Sequence, residues 1–136
     1  MLSPLLALDI GFKRTGVALS ESGIIAQPLG VIEAKVPHMT NVIDEVLLLI
    51  KEYDICTLVI GVPYGAEDEM TDQALRVENI ITQIEDRITA LQPTSLEIVR
   101  VNEYASTQDA AGQYPGAERD AAAAALILQD YIDQNA

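Results

Sequence analysis

Short apolar runs and helical spacings alternate along this chain. Residues 5–10 and 16–19 are apolar runs separated by the turn-like GFKRT, and a third extended run follows in GIIAQPLGVIE, residues 23–33. Three such runs joined by short polar links predict hairpin-linked strands, an antiparallel start. The spacing then changes. From 41 to 52, Val42, Ile43, Val46, Leu47, Leu49 and Ile50 recur every three or four positions, after a proline and polar capping candidates in VPHMTN, and predict a helix. TLVIGV, residues 57–62, is a continuous β-branched run of the kind buried on both faces, a central strand. Ala74, Val77, Ile80, Ile84, Ile88 and Leu91 predict an amphipathic helix over 71–91 that stops before Pro93. A strand over 96–101 follows. ERDAAAAALILQDYIDQ, residues 118–134, closes the pattern as a helix whose alanines let its axis lie close to a sheet. The order of elements predicts an α/β fold with a mixed five-stranded sheet.

Against this pattern three acids stand out. Asp9 interrupts the first apolar run, where an ionised, unpaired carboxylate costs several kcal/mol (roughly) of lost hydration. Glu103 follows the last strand in VRVNEYAS, and Asp120 lies in the first turn expected of the alanine-rich helix. Each has a plain structural role open to it. Asp9 can pair with Lys13 or Arg14 or cap a turn, Glu103 can cap a helix beginning near Ala105, and Asp120 can simply favour a helix N-terminus. If the three converge, they make an oxygen-rich site for one or two Mg²⁺ or Mn²⁺ ions, hard cations that bridge phosphate oxygens and activate water in phosphodiester cleavage.

Composition narrows the choices. A length of 136 residues fits one domain, residues 1–136, and 49% hydrophobic residues fit a folded core. No run approaches the roughly 20 apolar residues of a membrane helix, and MLSPLLALDIG lacks a signal-peptide pattern, so a cytoplasmic protein is expected. Cys56 is the only cysteine, which excludes an internal disulfide and suggests a buried structural thiol. His38, the only histidine, has no Cys/His cluster with which to bind zinc and reads as a solvent-facing or capping residue. The net charge of −13, from 21 acids against 8 basic residues, opposes indiscriminate binding to nucleic acid.

The motifs taken together resemble the YqgF/RuvX family of the RNase H-like superfamily, whose members are described as Holliday junction resolvases or pre-16S rRNA nucleases. LALDIGFKRTGVALSESGIIAQPLGVIE is similar to the family's opening, LVIGVPYG to its central strand, and RDAAAAALILQDYID to its closing helix. The resemblance implies an RNase H-like sheet of order 3-2-1-4-5. It also implies a catalytic, metal-binding triad of Asp9, Glu103 and Asp120, and a basic pair, Lys13 and Arg14, placed for phosphate contact with Gly11 and Gly16 allowing the tight geometry. Arg119 is the only cation in the segment before the last helix, which tends to be basic in the family, and is the third expected nucleic-acid contact. That strand order puts strand four between Asp9 and Glu103, so their backbones would stand roughly 10 Å apart, and the two meet only if both lie at one sheet edge.

Besides the poorly basic segment before the last helix, the chain departs from the family pattern in two places. Asn102, Glu103 and Tyr104 replace Asp-Glu-Arg, and YGAEDEMTDQA carries four acids after the central strand. The resemblance therefore implies a metal-dependent nuclease for structured RNA or branched DNA, acting as a monomer or homodimer, with a weakened or inactive binding or regulatory protein as the alternative. LDIGFKRTG also resembles the phosphate loop of the actin, Hsp70 and sugar-kinase group, but the chain is too short for their second lobe and VIGVPYGA lacks the aspartate of their second loop.

Overall fold

The computed structural model describes residues 3–35, 39–91, 96–103 and 116–136. Five strands, β1 (Leu5–Ile10), β2 (Arg14–Ser20), β3 (Gln27–Glu33), β4 (Thr57–Val62) and β5 (Glu97–Asn102), form one sheet of order β3-β2-β1-β4-β5. β1 runs antiparallel to β2 and parallel to β4, and β4 runs parallel to β5. Three helices are described: α1 (Thr40–Glu52), α2 (Asp72–Leu91) and α3 (Gly116–Gln134), with a single 3-10 turn at Ala66–Asp68.

Alternation along the strands sorts the core into two layers. Leu6, Leu8, Val17, Leu58, Ile60 and Val62 face α1 and α2, where Val42, Val46, Val77, Ile81 and Ile84 close over them. Leu5, Ala7, Ala18 and Val59 face the other way, onto Ala124, Ile127 and Leu128 of α3. β1 and β4 are covered on both faces, which is why their sequences are almost unbroken apolar runs.

Local chemistry sets how the helices enter. The Thr71 hydroxyl accepts the Ala74 N–H at 3.0 Å, capping α2, and donates to the Pro63 carbonyl at 2.8 Å, tying the start of α2 to the end of β4. α1 lacks the side-chain cap expected of VPHMTN: Met39 is its N-cap and makes no such bond. Asn41 instead bridges backward, its amide donating to the Glu33 carbonyl and accepting the Lys35 N–H. The expectations for His38, Tyr104 and a helix near Ala105 fall outside the described residues. Cys56 is half-buried rather than enclosed, its thiol 3.6 Å from the Asp54 carbonyl. Among the described residues no helix is long and apolar enough to cross a membrane.

Candidate nuclease site

The parallel strands β1, β4 and β5 end at the same sheet edge, the place where open α/β sheets offer backbone and side chains to ligands. Asp9 is the penultimate residue of β1 and is only 9% exposed. Its neighbours in register are both glycines, Gly16 on β2 and Gly61 on β4. All three residues point toward α3, and the missing side chains make room on either side of the carboxylate.

Gly16 lets α3 descend onto the sheet. A Cβ at Gly16 would stand 1.9 Å from the Asp120 carbonyl oxygen, so no larger residue fits beneath this turn of helix. The expected role of Gly16 in the β1–β2 turn is thus replaced by helix packing, whereas Gly11 does serve the turn. Its N–H donates to the Arg14 carbonyl at 3.1 Å, and a Cβ there would meet that oxygen at 2.6 Å. Small residues on α3, Ala121 and Ala124 among them, complete the close approach.

Gly61 does the corresponding work for Glu103. The Glu103 N–H donates to the Val62 carbonyl at 3.0 Å, extending the β4–β5 ladder by one residue. Glu103 then lies on the same face as Asp9, and its Oε2 passes 3.5 Å from where a Gly61 Cβ would be. The strand between Asp9 and Glu103 is bare at the position they must reach across.

Asp9, Glu103 and Asp120 consequently line one open cavity of about 360 Å³, together with Gly11, Phe12, Arg14 and, from the α2 side, Pro63, Gln73 and Val77. Asp120 is not in the first turn of its helix. α3 starts at Gly116, two residues before the expected start, so Asp120 is its fifth described residue and helix-terminus preference does not account for it. Its Oδ2 accepts a 2.7 Å hydrogen bond from Arg14 Nε, an ion pair partly open to solvent. Arg14 thereby pairs with Asp120 rather than standing free for phosphate. Lys13 and Arg119 are exposed and outside the cavity wall.

The donor set suits a hard divalent cation in kind, three carboxylates from three elements on one cavity. Among the described residues, however, no three His, Cys, Asp or Glu side chains stand together as a ready ligand group, in keeping with Asp120 being turned onto Arg14. Behind the cavity α2 is braced against the sheet by Glu78, which accepts hydrogen bonds from Tyr64 Oη and Arg100 Nε. That bond to Glu78 raises the Arg100 pKa, so the guanidinium stays charged. Sequence reasoning missed Phe12, Gln73 and Arg76, the last with its guanidinium 4.7 Å from the Phe12 ring centroid. Only Phe12, an apolar residue inside a polar turn, carried a signal by which to find it.

A mixed five-stranded sheet of order 3-2-1-4-5 with helices on both faces defines a protein of the RNase H-like fold class. The same fold is seen, at TM-scores of 0.60 and 0.61, in Thermus thermophilus RuvC in complex with a Holliday junction and in the Fowlpox virus resolvase with junction DNA. These share 11% and 12% of residues with the chain and cover 96% and 98% of it, and 95% and 99% of the respective neighbours, a likeness of fold. Closer kinship is read from sequence. Residues 3–134 match the family described as "RuvX: Holliday junction resolvase", and the chain belongs to that family. A relative from Gloeothece citriformis, named "Putative pre-16S rRNA nuclease", is 34% identical over 95% of this chain and 87% of its own. A Campylobacter lari relative of the same name is 49% identical over 59% of this chain and 60% of its own length.

Proposed function

We propose that this chain is a divalent-metal-dependent nuclease that hydrolyses phosphodiester bonds in structured nucleic acid, either in processing pre-16S rRNA or on branched DNA. The observation that carries the reading is that Asp9, Glu103 and Asp120 all line one cavity, with glycines clearing the sheet between and beside them. The names of the sequence relatives support it.

Asp9, Glu103 and Asp120 would hold Mg²⁺ or Mn²⁺, which supplies an activated water and neutralises charge on the phosphate. Asp9, fixed within a strand paired on both sides, is the least mobile of the three and sets where the reacting phosphate sits. Arg14, once off Asp120, is at the cavity wall and donates to a phosphate oxygen. Lys13 and Arg119, both exposed, contact flanking phosphates without reading bases. The protein works as a single domain in the cytoplasm, monomeric on an RNA end or homodimeric on a two-fold junction.

A second reading is a family member with weakened or lost catalysis that acts as a binding or regulatory partner. The bond between Arg14 and Asp120 favours it, because it occupies a carboxylate the metal needs. Thermal melting with increasing Mn²⁺, alongside cleavage assays on structured RNA and four-way DNA, separates the two. Stabilisation and cleavage that both vanish in Asp9→Asn and Asp120→Asn establish the nuclease. Neither effect in the wild type leaves the second reading.

A further inference from the structure

Phe12 is the sole phenylalanine of a chain that has no tryptophan, and the residue is 47% exposed at the wall of the carboxylate cavity. A lone exposed ring is ordinary on a protein surface. This one is held in place: the turn that carries it is closed by the bond from Gly11 to Arg14, and the Lys13 carbonyl accepts the Ala34 N–H at 2.9 Å. Arg76 of α2, exposed and beside the cavity-lining Val77 in sequence, lays its guanidinium 4.7 Å from the ring centroid. A flat ring and a planar cation thus face each other beside three carboxylates.

We infer that Phe12 and Arg76 form a stacking platform for one unpaired nucleobase next to the reacting phosphate. The inference rests on the nuclease reading and names what that site prefers: a loop, a strand end or a base unstacked at a branch, rather than continuous duplex. Stacked on each other, the two groups offer a base an outer flat face, and face-on stacking does not read the donors and acceptors on a base's edges, so the platform tolerates any base. A base within continuous duplex is already stacked on both faces and cannot occupy it. The pair also brings a cation to the mouth of a cavity whose nearer arginine is engaged with Asp120. Phe12 and Arg76 are positioning residues, acting on the nucleotide and not on the bond that breaks.

The test uses the full chain in Ca²⁺, with RNA hairpins carrying 2-aminopurine either unpaired in the loop or paired in the stem, binding read by anisotropy and stacking by fluorescence quenching. The wild type quenches the loop probe. Phe12→Ala loses the quenching and binds the loop probe about tenfold more weakly, while its affinity for fully paired duplex is unchanged; Phe12→Tyr restores both, and Arg76→Gln gives a smaller loss. Equal affinities of wild type and Phe12→Ala for the loop probe, or an equal loss on loop and duplex, overturn the platform. If the wild type cleaves in Mn²⁺ while Phe12→Ala is indistinguishable from it in binding, only this inference falls. If the wild type neither binds nor cleaves any of these nucleic acids, the nuclease reading falls and the platform with it.

Discussion

Arg14 stands between two demands. Its guanidinium neutralises Asp120, yet the oxygen it occupies is one the proposed metal requires. Replacing it by glutamine removes a competing cation and leaves the cavity more negative, so Arg14→Gln is expected to bind Mn²⁺ several-fold more tightly, read as a larger thermal shift at equal metal concentration. Cleavage should fall in the same variant, because the phosphate loses a charged donor. Tighter metal binding with unchanged cleavage would remove Arg14 from the substrate contacts. At this scale the sequence was informative about Asp9, since a carboxylate inside an apolar run demands a reason. It could not show that Arg14 pairs with Asp120, 106 residues away, nor that Arg76 covers Phe12, because those contacts are made only when α3 and α2 dock.

Between elements, two glycines control the site through different neighbours. An alanine at Gly16 meets the helix backbone, which has nowhere to go, and Gly16→Ala is expected to lose about 3 kcal/mol in urea unfolding. An alanine at Gly61 meets Ile127 Cδ1 at 2.8 Å, the end of a side chain, and should cost less, about 1–2 kcal/mol. Ile127→Val removes that methyl group, so the double variant Gly61→Ala/Ile127→Val should be more stable than the two single losses added together. Strict additivity would show that the clash is relieved elsewhere. All five strands and the described helices were legible from periodicity, because hydrophobic alternation and helical spacing record which face is buried. Their ends were less so: α3 begins at Gly116, ahead of the alanine run, and α1 starts on Met39 without the polar cap its flanking sequence offers. Helix ends depend on what the neighbouring chain provides, and Asn41 is used to hold β3 instead.

For the molecule as a whole, the net charge of −13 limits how a nucleic acid is held. Three cations are assigned to phosphates, Lys13, Arg14 and Arg119, and release of counterions from as many phosphates gives a slope of log affinity against log salt no steeper than about −3. A much steeper slope would require a basic surface other than this one. Weak electrostatic attraction leaves selectivity to metal and to stacking, so plain duplex should compete poorly even in excess.

The close seating of α3 over Gly16 also bears on timing. A ribosome extends the chain at about 5–20 residues per second, N-terminal segments first, and the 106-position separation of Arg14 and Asp120 sets the two walls of the cavity apart by several seconds of synthesis. Until α3 emerges, the nascent protein has Asp9 and its turn but no complete set of carboxylates. On the proposed nuclease reading, a chain assembled in this order cannot cut the RNA around it while it is being made.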